Sequence, residues 1–170
     1  MKMILSLMVL GLSMLAIGCS DSQLATTNDG AASAQYVTAT EPGGAVPVGE
    51  ARESTVDGDN ITLVGVIGGS SEPFVEGLAA FTVVDPKVPY CAPDEGCPTP
   101  WDYCCTQDQV KGNMATVKIV DDAGKPVSQD ARGLLNVKEL STVVVQGKAS
   151  RDDQGNLTVA AHKVFVRPSK

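Results

Sequence analysis

Beyond Asp57 the chain is written in short β-branched runs broken by Gly and Asp turns. With only three Phe, three Tyr and one Trp in 170 residues, its core has to be assembled from Val, Leu, Ile and Ala. Apolar residues that alternate with polar ones at period two mark strands with one buried face, which predicts an all-β fold. Asp57-Gly58-Asp59-Asn60 turns into Ile61 to Ile67, where Ile61, Leu63 and Ile67 share a face and Gly65 marks a bend or a close backbone approach. Ala79 to Asp85 follows with Phe81 and Val83 together, then Met114 to Val120 with Ala115, Val117 and Ile119 opposite Thr116 and Lys118. Asp121-Asp122-Ala123-Gly124 reverses the chain, and Leu134, Val137 and Leu140 suit a short helix within Asp130 to Leu140, weakened by Gly133. Thr142 to Ala149 and Asn156 to Arg167 read as the last two strands. In the second, the apolar phase slips from odd positions (Leu157, Val159) to even ones (Val164, Val166), which predicts a bulge near Ala160 and Ala161.

Three strands, a short helix and a long final hairpin resemble an OB-fold, a small five-stranded Greek-key barrel. The resemblance covers about Asp59 to Arg167 and rests on element order with Gly65, Phe81 and Asp85 in Val64-Gly65-Val66-Ile67 and Ala80-Phe81-Thr82-Val83-Val84-Asp85. An immunoglobulin-like sandwich has more strands than this chain supplies. The oligonucleotide binding common among OB-folds is not expected. Thirteen Lys and Arg face 20 Asp and Glu, a net charge of -7, whereas phosphate backbones are bound by clustered cations.

The amino terminus gives an address. Lys2 precedes an apolar run from Met3 that ends in Leu15-Ala16-Ile17-Gly18-Cys19, the pattern of an export signal. As a helix, residues 3–18 would span about 24 Å, short of the roughly 30 Å hydrocarbon core of a bilayer. The ending on Gly18-Cys19 resembles a bacterial lipobox, which implies cleavage after Gly18 and a diacylglyceryl group on Cys19. Two acyl chains hold stably, each buried methylene contributing about 0.8 kcal/mol. Residues 1–18 are therefore expected to be a signal peptide, and the protein to be exported and lipid-anchored in the cell envelope, in the periplasm or on the outer face. Residues 19–46, dominated by Ser, Thr, Ala, Gly, Asn and Asp, are expected to form a flexible tether. Residues 47–170 are expected to form the barrel domain, with a Cys-rich insertion over residues 86–113.

That insertion holds Cys91-x5-Cys97-x6-Cys104-Cys105. A connection of this length is unusual in a compact domain unless something ties it down. With Cys19 assigned to lipid, four cysteines remain, and in an oxidising compartment they suit two disulfides. Vicinal bridges strain the backbone, so Cys104 and Cys105 are expected each to pair with Cys91 or Cys97, and both pairings stay open. The alternative is a four-thiolate site for zinc or copper(I), supported by soft ligands in close sequence and opposed by gaps unlike the usual Cys-x2-4-Cys grips. A thiol-redox role is a further option, although no Cys-x-x-Cys occurs. Tyr90, Trp101 and Tyr103 lie in the same segment and either stack on a sugar or peptide ligand or cover the sulfurs as a small core. Asp94, Glu95 and Asp102 lack calcium-loop spacing. The run Cys97-Pro98-Thr99-Pro100-Trp101-Asp102-Tyr103-Cys104-Cys105 resembles a motif of small planctomycete-type lipoproteins and implies no activity.

No catalytic constellation is visible, so no enzyme is expected. His162 is the only histidine, and Asp121-Asp122 and Asp152-Asp153 sit in turns, where Asp bonds its own backbone. The sequence thus predicts a non-enzymatic envelope module without a cofactor that presents a disulfide-tied loop to a protein or glycan partner. Its competitor is a zinc, copper or thiol-redox protein acting through the four cysteines.

Overall fold

A computed structural model describes residues 29–169. The signal peptide over residues 1–18, the lipidation site Cys19 and the first part of the tether lie outside the described residues. The fold is mainly β. In chain order the elements are α1 (Asp29–Tyr36), β1 (Val46–Pro47), α2 (Val48–Ser54), β2 (Asn60–Ile67), β3 (Ala80–Val84), α3 (Gln107–Val110), β4 (Met114–Ile119), α4 (Ala131–Leu135), β5 (Thr142–Arg151) and β6 (Leu157–Val166). Six strands form one sheet in the order β1-β2-β3-β4-β6-β5, and a further β2–β5 pairing bends it into a ring. Every pairing within the ring is antiparallel except β4 with β6, and β1 adds to β2 in parallel.

The alternation that marked the strands is the alternation that fills the ring. Ile61, Leu63, Ile67, Phe81, Val83, Ala115, Val117, Ile119, Val143, Val145, Leu157, Val159 and Val164 are all buried in a single core cluster. Gly65 sits where β2 passes closest to β3: a Cβ there would come within 2.8 Å of the Val83 Cβ and 3.3 Å of a Val48 methyl. The phase slip of the last strand is a bulge, with Gln146 opposite Lys163 and Gly147 opposite Ala161, so that His162 is the extra residue. Facing it, Gly147 is obligatory, because a Cβ would stand 2.3 Å from the Ala160 carbonyl oxygen.

Three expectations change. Four short helices are present among the described residues rather than one. The helix expected over Asp130 to Leu140 is only five residues, α4: Asp130 Oδ1 accepts from the Arg132 amide at 2.8 Å to start it, and left-handed Asn136 (φ 53°) ends it. Residues 19–46 are not a free tether throughout. From Asp29 they carry α1, which packs on α4 and β6. Tyr36 is buried in the core cluster, the Thr38 amide donates to the Val164 carbonyl at 2.9 Å, and Glu41 receives the Arg167 guanidinium at 2.6 Å. Weak periodicity hid this segment because one aromatic residue and main-chain bonds, rather than an apolar stripe, hold it. No helix among the described residues is long and apolar enough to cross a membrane.

Candidate functional site: a four-thiolate cluster

The connection between β3 and β4 is a small folded layer on the sheet rather than an open loop. It contains two 3-10 turns, Pro93–Glu95 and Pro100–Asp102, followed by α3. Tyr103 is its centre. Fully buried, it packs with Val84, Val88 and Val110, and Met114 covers the edge, in a cluster separate from the main core. Tyr90, half exposed, meets the Tyr103 ring edge-on at 6.4 Å between centroids and 84° between planes. Trp101 is half-buried and donates through Nε1 to the Ser71 carbonyl at 3.0 Å. The three aromatics therefore form no common stacking face: one is core, one covers it, and one pins the layer to the β2–β3 connection.

Further main-chain bonds hold the layer in place. The Gly69 amide donates to the Trp101 carbonyl at 2.8 Å, and the Asp85 amide to the Asn113 carbonyl at 2.8 Å. Gly68 permits the close approach, since a Cβ there would lie 2.6 Å from the Trp101 carbonyl oxygen. Asp85, almost fully buried at the end of β3, accepts from the Gly49 amide at 2.7 Å and the Lys87 amide at 2.9 Å, joining α2 to the start of the layer. Sequence reasoning gave neither Asp85 nor Gly68 this role. The available signals were a carboxylate closing an apolar strand and a Gly-Gly pair following one.

All four cysteines of this layer converge. Their sulfurs lie within 4.8 Å of one another. Cys104 Sγ is 3.1 Å from Cys97, 3.2 Å from Cys91 and 3.7 Å from Cys105, and Cys91 is 3.6 Å from Cys105. No S–S bond joins any two of these four sulfurs in the structure. A tetrahedral zinc with 2.3 Å bonds has sulfur edges of about 3.8 Å, so modest outward shifts seat the ion. Donor softness fits zinc or copper(I) equally.

Adjacent Cys104 and Cys105 reach one cluster because Tyr103 ahead of them is left-handed, with φ 57° and ψ 36°. For a residue with a Cβ that conformation costs roughly 1–2 kcal/mol, and the burial of its ring holds it. Asp102 steadies the same turn, accepting from the Thr99 hydroxyl at 2.7 Å and the Cys104 amide at 2.8 Å. The Thr99 hydroxyl, ahead of the burial that opposes it, holds the Asp102 carboxyl below its ordinary range.

The thiols are electrostatically unequal. The Cys105 amide, and after it the Cys104 thiol, lowers Cys91 to about 7, so this sulfur is substantially thiolate at neutral pH. Hydrogen bonding to Cys104 pushes Cys97 above its ordinary value, and bonding to Cys91 raises Cys105 to about 11. The surrounding segment favours a cation as well, since Asp94, Glu95, Asp102 and Asp108 outnumber Lys87 and Lys111 between Pro86 and Asn113.

His162 is exposed on the rim of a shallow 170 Å³ depression with Asn60, Thr62 and Gln146, away from the sulfurs. No family model matches the chain, and no curated protein matches it.

Proposed function

We propose that this protein is an exported, lipid-anchored metal-binding module in which an OB-like five-stranded barrel presents Cys91, Cys97, Cys104 and Cys105 as a four-thiolate centre for zinc or copper(I). The observation that carries the metal reading is the convergence of all four sulfurs within 4.8 Å. The barrel reading draws support from the ring order β2-β3-β4-β6-β5 closing on β2, with the single parallel pair β4–β6 and α4 between β4 and β5. Export and the lipid on Cys19 rest on the lipobox alone, and nothing in this reading requires a reaction.

We prefer the thiolate centre to a disulfide-tied loop presented to a protein or glycan partner for two reasons. The layer is already held by Tyr103 packing and main-chain bonds, so bridges are not needed to order it. The aromatics, furthermore, offer a glycan no shared face. The disulfide reading keeps one observation in its favour, since Cys104 stands within 3.2 Å of both Cys91 and Cys97. Metal analysis and thiol titration of the full chain separate the two. Stoichiometric zinc or copper, with Cys91, Cys97, Cys104 and Cys105 all reacting after chelation, is the expected result; no metal and no reactive thiol at these four positions would return the disulfide-tied module.

A further inference from the structure

Structural zinc sites are enclosed by their ligands and are needed for folding. Four thiolates would close this centre too, but the layer around it has packing and main-chain bonds of its own. Its four residues form a graded series: Cys91 is buried with 2% exposure, Cys97 is half-buried, and Cys104 and Cys105 are exposed. The layer carrying them also has contacts that involve no sulfur. Tyr103, Val84, Val88 and Val110 pack beneath it, the Gly69 amide and the Trp101 indole tie it to the β2–β3 connection, and the Thr106 hydroxyl donates to the Pro89 carbonyl at 2.9 Å across its base. An ion bound here has a sealed side at Cys91 and an open side at the adjacent pair.

Resting on the metal reading above, we propose that the centre is a transfer site: it hands its ion to an incoming thiolate ligand through the Cys104–Cys105 face, with Cys91 as the retained anchor. The exchange is associative. A bond from the incoming sulfur to the ion forms as the bond to Cys104 or Cys105 breaks, and the freed thiolate takes up the proton that the incoming thiol gave up. No electrons change hands. Further incoming sulfurs displace the second member of the pair, then Cys97 and last Cys91, the anchor through the earlier exchanges, and each freed thiolate takes up the proton of the thiol that replaces it. Cys91 stands 3.2 Å from Cys104 and 3.6 Å from Cys105, so it stays beside whichever of the pair remains while the other is displaced.

The experiment uses the full chain loaded with zinc, challenged with increasing dithiothreitol in the presence of a zinc indicator, with Trp101 fluorescence followed in parallel. The expected result is a departure rate that doubles when dithiothreitol is doubled, and Trp101 emission that is the same with and without the ion. A departure rate independent of dithiothreitol and equal to the rate at which Trp101 reports opening of the layer would overturn the transfer site while leaving the metal site standing. A chain that takes up neither zinc nor copper(I) would overturn both. Cys105→Ser supplies a second reading: if it binds zinc and the dithiothreitol dependence is steeper than wild type, the open face is where exchange occurs, whereas an unchanged dependence in a zinc-binding variant overturns that assignment.

Discussion

Tyr103→Phe should stabilise this protein. The Tyr103 hydroxyl is buried and has no hydrogen-bond partner among the described residues, while its ring is the centre of the small apolar cluster under the cysteines. An unsatisfied buried polar group costs about 1–3 kcal/mol. Phe keeps the ring, its packing and the left-handed backbone, and it leaves no significant cavity. We expect a gain of about 1 kcal/mol, the lower end of that range, because a tyrosine buried this way relieves part of its cost by small shifts. For a domain of this size the midpoint of thermal unfolding should rise by about 3–4 °C.

Urea denaturation of the ion-free protein is the suitable assay, because a bound ion would add its own linkage to the apparent stability. The midpoint should rise with an unchanged slope. Alkaline titration sharpens the test. Burial, and secondarily the nearby Tyr90, raises Tyr103 from 10.0 to about 12. A group whose folded value is raised contributes its stability below its unfolded value and loses it as pH climbs toward the folded one. Wild type should therefore lose stability relative to the Phe variant between pH 10 and 12. Destabilisation by about 1 kcal/mol or more at neutral pH would refute the reasoning, since it would mean that the hydroxyl has a partner such as a buried water.

Gly147→Ala places a methyl 2.3 Å from the Ala160 carbonyl oxygen and 2.7 Å from the Ala161 Cα, both main-chain atoms of the paired strand. A loss of about 2–3 kcal/mol is expected on denaturation, and a neutral substitution would mean that the bulge relaxes freely. Zinc affinity should rise with pH, because Cys91 at about 7 is the first thiol to ionise and Cys105 at about 11 keeps its proton until the ion displaces it. Calorimetry in buffers of different ionisation enthalpy should count protons released on binding, and uptake without release would contradict a thiolate centre. Mass spectrometry of the membrane-extracted protein should find a mature terminus at Cys19 carrying a diacylglyceryl group; an unmodified terminus elsewhere would remove the anchor.

The strands were legible because alternation is a local signal with a global meaning: Phe81 with Val83, and Ala115 with Val117 and Ile119, can be buried together only on one face of a strand. Even the bulge could be read, since the shift from Leu157 and Val159 to Val164 and Val166 has no other cheap resolution. What escaped was held by single residues or by main chain. The segment around Tyr36 has one buried aromatic and no stripe. Gly147 is required by a carbonyl of another strand, which its own neighbours do not reveal. The two-residue β1 extends the sheet through Val46 and Pro47 opposite Leu63 and Val64, too short to carry a period.

The cysteine cluster shows most clearly how a local rule is overridden. Judged from spacing, Cys104 and Cys105 argue against a single ion, because successive side chains of an extended chain point to opposite faces and gaps of five and six give no familiar grip. That argument assumes ordinary backbone at residue 103. Tyr103 is instead left-handed, and a bulky residue keeps that conformation only where its surroundings over-determine it. Those surroundings come from distant positions: Val84 at the end of β3, Val110 in α3, and Gly68 leaving room beside the ring. Burial of one aromatic ring thus sets the turn that brings two neighbouring thiols to one point. A tyrosine directly before a Cys-Cys pair gives no warning of this in sequence, where it reads as another loop aromatic. The site is consequently a product of the packing outside the main core, and substitutions at Val84 or Gly68, neither of them beside a cysteine in sequence, belong among those that would scatter it.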